Sequence, residues 1–397
     1  MSDDRNPDRR EFIVASLLAA SAPAVLAAGA GAAAAQEPPQ AAGSGGTVFT
    51  GDVIGGKQVV SALDVNDLEP GRHRFYFQGV QNVTGQHWYV SVAVAKGAQP
   101  GKRVLLTSGV HGDEMSSVRT VQQVMEALDP AEMAGSVLAV FDISGPALEG
   151  MARRWPGSGR GVELIDMNRV WPGDENSPEA PRRHAGLLFN RLLRPNADVA
   201  MDFHTVSSGM DGTAFHFADM SKPEVAEMAM LFPVDQIFAD TEPYAGTLMN
   251  ELVDVGVPAL TPELGKPRIL DPEMIERFVE GTMNVLKHHR VIEGPIGRTA
   301  HDTGVFVTRH GAPVISTHGG FVELRVELRE KVAAGQVVAI QHDAFGDQVA
   351  EYLSPVAGEV MARRTDATCE PGTPLMLILF DGAALPQEAE GEEEFPE

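Results

Sequence analysis

Two short segments carry residue types that bind divalent metals. Gly109-Val110-His111-Gly112-Asp113-Glu114 follows the apolar run Val104-Leu105-Leu106. A His-x-x-Glu spacing lets an imidazole and a carboxylate converge on one ion from a tight turn entering a helix. The flanking glycines would let the backbone pass close to the metal. The same spacing also suits a solvated pair on a helix face. Ala200-Met201-Asp202-Phe203-His204-Thr205 ends a second apolar run. There His204 offers a third ligand and Asp202 a carboxylate to orient an imidazole, the alternative being a hydrogen-bonded core histidine. Two imidazoles and one carboxylate leave a fourth zinc position open, the arrangement of a catalytic site. The expectation is therefore one Zn2+ per chain, although His/Glu sets accept other divalent ions.

Between these segments lies Asp166-Met167-Asn168-Arg169-Val170-Trp171-Pro172-Gly173, preceded by Arg153, Arg154 and Arg160. Asn168 can donate an amide hydrogen bond and Arg169 a bidentate fork, a pairing suited to a carboxylate. Arginines so close together in an acidic chain suggest a pocket for an anion or a developing oxyanion; a solvent-facing basic loop would look the same. Asp166 could orient an arginine or cap a turn. Thr261-Pro262-Glu263-Leu264-Gly265 supplies a further carboxylate, Glu263. Opposite a metal it would be a general base for water, able afterwards to pass the proton to a leaving amine.

The elements around these residues point to an α/β protein. Short alternating segments at Val59–Leu63, Arg74–Phe77 and His87–Ala95 read as antiparallel strands. From Arg103 onward, buried-type strands (104–110, Ser136–Asp142, Asp198–Asp202, Pro258–Pro262) alternate with helical stretches, one reaching about Leu128 and another spanning Pro272 to about His289. That alternation predicts a mixed, mostly parallel central sheet with flanking helices, whose strand ends carry the chemistry. From 298 the helical period stops and short β runs continue to Ile378, predicting a small C-terminal all-β domain. Its Phe321–Gln336 stretch has the spacing of a β-hammerhead or lipoyl-like sandwich. Lys331 does not sit where a carrier lysine would, so a structural or lid role is expected.

The formal net charge of −24 would repel nucleic acid and anionic membrane, so an anionic substrate needs a local basic pocket. The single cysteine, Cys369, excludes an intrachain disulfide and reads as a small core residue. Arg9-Arg10 followed by an apolar stretch and Ala33-Ala34-Ala35 resembles a twin-arginine signal with an Ala-x-Ala cleavage site. The resulting division is a signal at 1–35, a linker at 36–46, a hydrolase-type domain at 47–297, the β domain at 298–382 and an acidic tail at 383–397. Export by the twin-arginine machinery to the periplasm or beyond is expected, with no stable membrane insertion of the mature chain. The oligomeric state is not legible.

Taken in order, the segments at 109–114, 166–173, 202–205 and 261–265 resemble the succinylglutamate desuccinylase/aspartoacylase family, a branch of the zinc carboxypeptidase-like hydrolases. The resemblance covers about Lys102 to Ile378. It implies that His111, Glu114 and His204 bind zinc, that Glu263 is the general base, and that Asn168 and Arg169 take the substrate carboxylate. It further implies that Arg154 polarises the scissile carbonyl, with Arg153 and Arg160 as competitors for that role. Two departures limit it. Gly145-Pro146 stands where the family has Asn-Pro, and the export signal and N-terminal β segment are additional. The substrate therefore need not be N-acetylaspartate or succinylglutamate. The expected reaction is hydrolysis of the amide of an N-acyl amino acid or similar small carboxylate. A carboxypeptidase-type peptidase on short or cell-wall peptides, and a non-catalytic periplasmic binding protein, are the rival readings.

Overall fold

The computed structural model describes residues 46–157, 163–239 and 245–382. The segment expected to be an export signal, most of the expected linker, Arg160 and the acidic tail lie outside the described residues.

Within 46–307, the buried-type runs are strands: Gln99–Thr107, Ala134–Val140, Val199–Asp202 and Ala259–Leu264. They lie at the centre of an eleven-stranded mixed sheet and run parallel to one another. Their side chains alternate between two cores. Leu105, Leu138 and Ala200 face one side, with Leu188 and Leu252 from the helices Ala180–Leu188 and Leu248–Asp254. Val104, Leu106, Val137, Ala139 and Met201 face the other, with Val121, Val124 and Phe278 from the helices Met115–Ala127 and Pro272–His288. Helices on both faces explain why the buried stretches of these strands, such as Val104–Leu106 and Val137–Val140, are apolar at successive positions, since neither side meets water. The helix Pro272–His288 is well delimited. Asp271 accepts from the N–H of Glu273 and Met274, Pro272 opens the first turn, and Lys287 and His288 sit at the negative end. Such a cap stabilises by about 1 kcal/mol.

The N-terminal strands depart from the expected pattern. Val48–Ile54 pairs antiparallel with Lys57–Ala62, but Lys57–Ala62 runs parallel to Gly71–Gln81. The connection between them is not a hairpin. Its short turn Val65–Asp67 is pinned to the body, where the Val65 N–H donates to Asn196 Oδ1 at 2.8 Å, and the chain re-enters the sheet in the same direction. Gly71–Gln81 and His87–Lys96 then pair antiparallel as expected. The strand Ala214–Ala218, antiparallel beside Ala259–Leu264, has no counterpart among the expected elements.

The compact units divide between Val307 and Thr308. Sequence patterning places the change at 297/298. The intervening stretch holds the helix Ala300–Thr303 and Phe306, whose N–H donates to Asp235 O, so it belongs to the larger unit. In the C-terminal unit, Gly311–Ile315, Pro374–Leu379 and Gly358–Arg364 form one antiparallel sheet, with Lys331–Val332 against Gly358–Arg364. Gln348–Leu353, Val337–His342, Gly320–Leu324 and Thr368–Cys369 form another. Val314, Val338, Val360, Leu375 and Ile378 fill its core. Lys331 lies within a paired strand opposite Glu359, not at a hairpin tip. Cys369 is half-buried, its Sγ 3.3 Å from both Ser316 Oγ and Gln341 Nε2. Among the described residues no helix is long and apolar enough to cross a membrane.

Candidate metal centre

Because the central strands are parallel, their C-terminal ends open on one side of the sheet. His111 and Glu114 follow Gln99–Thr107, His204 follows Val199–Asp202, and Glu263 lies near the end of Ala259–Leu264. Glu114 occupies the N-cap position of the helix Met115–Ala127, yet its carboxylate makes no capping bond and turns to the histidines instead. His111 Nδ1 is 2.8 Å from Glu114 Oε1, and His204 Nδ1 is 2.9 Å from Glu114 Oε2. The two Nδ1 atoms are 3.0 Å apart. All three side chains are buried, so the solvated-pair reading of His-x-x-Glu does not hold.

The far nitrogens are equally defined. His111 Nε2 lies 3.0 Å from Asp166 Oδ1, and His204 Nε2 lies 2.9 Å from Asp202 Oδ2. Each Nε2 donates its hydrogen to an aspartate, and each Nδ1 faces the Glu114 carboxylate, where a proton or a cation must stand between them; with a cation there, each Nδ1 presents a lone pair. Three lone-pair atoms thus converge, an arrangement that a divalent cation satisfies. The electrostatics agree. Burial disfavours a charged His204, but Asp202 and Glu114 raise its proton affinity well above the histidine range. Burial likewise opposes ionisation of Glu114, and the two imidazoles override it to hold the carboxyl below the usual range. Positive charge is wanted between these groups.

The glycines do something other than expected. Gly109 has φ +69°, and a Cβ there would meet Phe141 O at 2.7 Å; one on Gly112 would lie 2.0 Å from the Ala147 carbonyl carbon. They let neighbouring backbone, not the ligand atoms, approach.

Asp166 acts both as the cap and as the orienter that its sequence position suggested. It accepts from the Asn168 N–H at 2.9 Å, opening the turn Met167–Arg169, and it also faces Arg153, whose Nε is 3.4 Å from Asp166 Oδ2. Arg153 Nη1 donates to Glu114 Oε1 at 3.1 Å. These contacts tie Arg153 to the cluster; it and its neighbour Arg154 are both half-buried. Asn168 Oδ1 accepts from the N–H of Leu248, the first residue of the helix Leu248–Asp254, which turns the NH2 edge of the amide elsewhere. Arg169 Nη1 donates to the Asn168 carbonyl at 2.6 Å.

Glu263 pairs with His204 across a parallel bridge and is buried. Burial pushes its carboxyl up to about 8, against the pull of His204 and Arg153 and with the push of Glu114 and Asp202. Glu263 Oε2, Arg153 Nη2 and Asp113 Oδ1 are buried polar atoms without a hydrogen-bond partner, while Arg153 Nε and Asp166 Oδ2 meet only as an ion pair at 3.4 Å. Buried polar atoms are rarely left so, and a group of them around one cluster marks a place where a polar ligand completes the set. Sequence reasoning missed two contributors here. The Thr205 N–H donates to Glu114 Oε2 at 3.1 Å, and Thr107 Oγ1 donates to Asp202 Oδ1 at 2.6 Å. A lone hydroxyl closing an apolar strand was the available signal for Thr107.

Residues 100–289 match the family model of the succinylglutamate desuccinylase/aspartoacylase catalytic domain. The chain belongs to the succinylglutamate desuccinylase/aspartoacylase family. It is 28% identical over 299 residues to an N-alpha-acetyl-L-2,4-diaminobutyric acid deacetylase from Halomonas elongata, covering 73% of this chain and 85% of the relative. Among solved structures it is similar to a succinylglutamate desuccinylase/aspartoacylase from Rhodobacter sphaeroides, with a TM-score of 0.69 and 25% identity over 80% of this chain and 98% of that one. It also shares the fold of the product-bound ectoine utilization protein EutE (DoeB) from Ruegeria pomeroyi, with a TM-score of 0.70 and 22% identity over 78% and 96% of the two chains. As a member of this deacylase family the chain is a hydrolase, and its buried His111-Glu114-His204 group is of a kind that could hold a metal ion.

Proposed function

We propose that this hydrolase is a zinc-dependent deacylase, of the zinc carboxypeptidase-like type, that cleaves the amide bond of an N-acyl amino acid or similar small carboxylate. The observation that carries the reading is the convergence of His111 Nδ1, His204 Nδ1 and the Glu114 carboxylate, each imidazole held by its own aspartate. These three residues would hold the ion, which when bound supplies Lewis acidity and positive potential beside the reacting carbonyl.

The remaining work falls to the protein. Glu263 takes a proton from the attacking water as its oxygen bonds to the carbonyl carbon. It then delivers that proton to the nitrogen as the C–N bond breaks, leaving a carboxylate and a free amine. Its raised proton affinity suits a group that must hold the proton between the two steps, and a nearby dication lowers that affinity toward neutral pH. Arg153, whose Nη2 is unengaged in hydrogen bonds, is placed to stabilise the developing oxyanion, the part the family resemblance gives to Arg154. The NH2 edge of Asn168 and the guanidinium of Arg169 would take the substrate carboxylate. The diaminobutyrate-type deacetylase relative supports an N-acyl amino acid over a longer peptide. Export by the twin-arginine machinery belongs to the same proposal and rests on Arg9-Arg10 and Ala33-Ala34-Ala35.

The test is a screen of metal-analysed enzyme against N-acyl amino acids and short peptides, following release of free amine. Turnover of N-acyl amino acids, lost when the substrate carboxylate is amidated, is expected. Turnover confined to peptides would overturn the reading.

A further inference from the structure

We propose that Thr107 is a positioning residue for the metal site, acting on His204 through Asp202; the inference rests on the metal reading above. Parallel pairing of Gln99–Thr107 with Val199–Asp202 sets Thr107 directly beside Asp202, and the Phe203 N–H donating to Thr107 O locks that register. Thr107 and Asp202 are each 1% exposed. The Thr107 hydroxyl donates to Asp202 Oδ1 at 2.6 Å, while His204 Nε2 donates to Asp202 Oδ2 at 2.9 Å. Each carboxylate oxygen thereby receives one donor, and the carboxylate plane is fixed from both sides.

The consequence reaches the ligand atom. His204 presents a lone pair on Nδ1 only while Nε2 keeps its hydrogen, and that tautomer depends on an aspartate held in the right orientation. Without the hydroxyl, Asp202 Oδ1 is buried with one donor fewer, and the carboxylate is free to turn away from the ring. The strand itself does not need a hydroxyl here. Val104, Leu105 and Leu106 precede it as fully buried aliphatic residues, and valine has the same shape as threonine and a comparable preference for strands. A polar atom at this position is explained by what it holds.

The experiment measures Zn2+ affinity of the full chain by chelator competition and the absorption spectrum of the Co2+-substituted protein, for the parent, Thr107→Val and Thr107→Ser. Thr107→Val should weaken Zn2+ binding by roughly 10- to 100-fold and alter the Co2+ spectrum, whereas Thr107→Ser should restore both. Should the valine variant fail to fold, Thr107→Ala carries the same comparison. In an Asp202→Asn background the loss of the hydroxyl should cost no further affinity. Parental Zn2+ affinity and spectrum in Thr107→Val, or an additive loss in the Asp202→Asn background, would overturn the relay. A parent that binds neither ion sinks the metal reading instead, and the role of Thr107 falls with it.

Discussion

Acid should loosen the larger unit through a histidine that lies beside the site. His216 sits in Ala214–Ala218, in register with Pro262 and so next to Glu263. Its ring packs edge-on against Phe232 at 4.6 Å and Phe278 at 5.7 Å, and neither ring nitrogen has a hydrogen-bond partner. Burial lowers its pKa from 6.5 to about 3. Because the folded-state value is depressed, the neutral ring contributes its full stability above pH 6.5. That contribution is lost progressively as pH falls from 6.5 toward 3. At pH 5 the loss is 1.5 pH units at about 1.4 kcal/mol each, or about 2 kcal/mol.

A second histidine contributes in the same way. His184 is buried and lowered to about 4, its Nε2 donating to Ile143 O at 2.9 Å and its Nδ1 accepting from the Val80 N–H at 3.3 Å. The two together would remove about 4 kcal/mol at pH 5, a large part of a typical domain's 5–15 kcal/mol. In His216→Leu one of the two titrations is gone. Urea unfolding at pH 8 and pH 5 should then show the variant losing about 2 kcal/mol less than the parent. Any fixed repacking cost is common to both pH values and cancels. An equal loss in parent and variant would refute the assignment of His216 as a buried neutral ring.

Glu263→Gln should keep its metal content while turnover falls by roughly 100-fold or more, since general acid–base help alone is commonly worth that much; metal analysis beside initial rates checks it. Replacing Arg153 with Met strips Glu114 and Asp166 of their buried cation. It should cost roughly 3 kcal/mol in denaturant titration, and it should lower kcat far more than Arg154→Met does. The reverse order of kcat effects would return the carbonyl-polarising role to Arg154. Asn168→Ala removes an acceptor from the first turn of Leu248–Asp254 and a donor from the substrate pocket. Thermal stability should drop by about 1 kcal/mol and KM should rise, both measurable on one preparation.

Much of the site was legible because metal ligands at strand ends combine two signals, residue type and the close of an apolar run. His111, Glu114, His204 and Asp202 carried both, and the structure brings them together, with Asp166 beside His111. Neighbouring arginines carry no such signal. Arg153 and Arg154 lie outside a regular element, where sequence alone cannot say which side chain turns inward. The glycines at 109 and 112 were read for the wrong neighbour, because sequence shows that space is needed without showing what fills it. The central strands were readable from near-continuous apolar runs, whereas His216 breaks the run at 214–218 and hides a strand that is buried throughout. The parallel pairing of Lys57–Ala62 with Gly71–Gln81 depends on Asn196 gripping the connection from far along the chain, a long-range contact invisible to local pattern.

In the proposed function, His111, Glu114 and His204 hold one catalytic divalent ion. It is tested most directly by metal analysis of the purified chain before and after chelation, with turnover of an N-acyl amino acid measured on the same samples. One equivalent of ion per chain is expected, with loss of turnover as it is stripped, recovery on adding Zn2+, and no bound ion in His204→Ala. Undiminished turnover by a fully stripped enzyme, or an ion retained at full occupancy in His204→Ala, would contradict it.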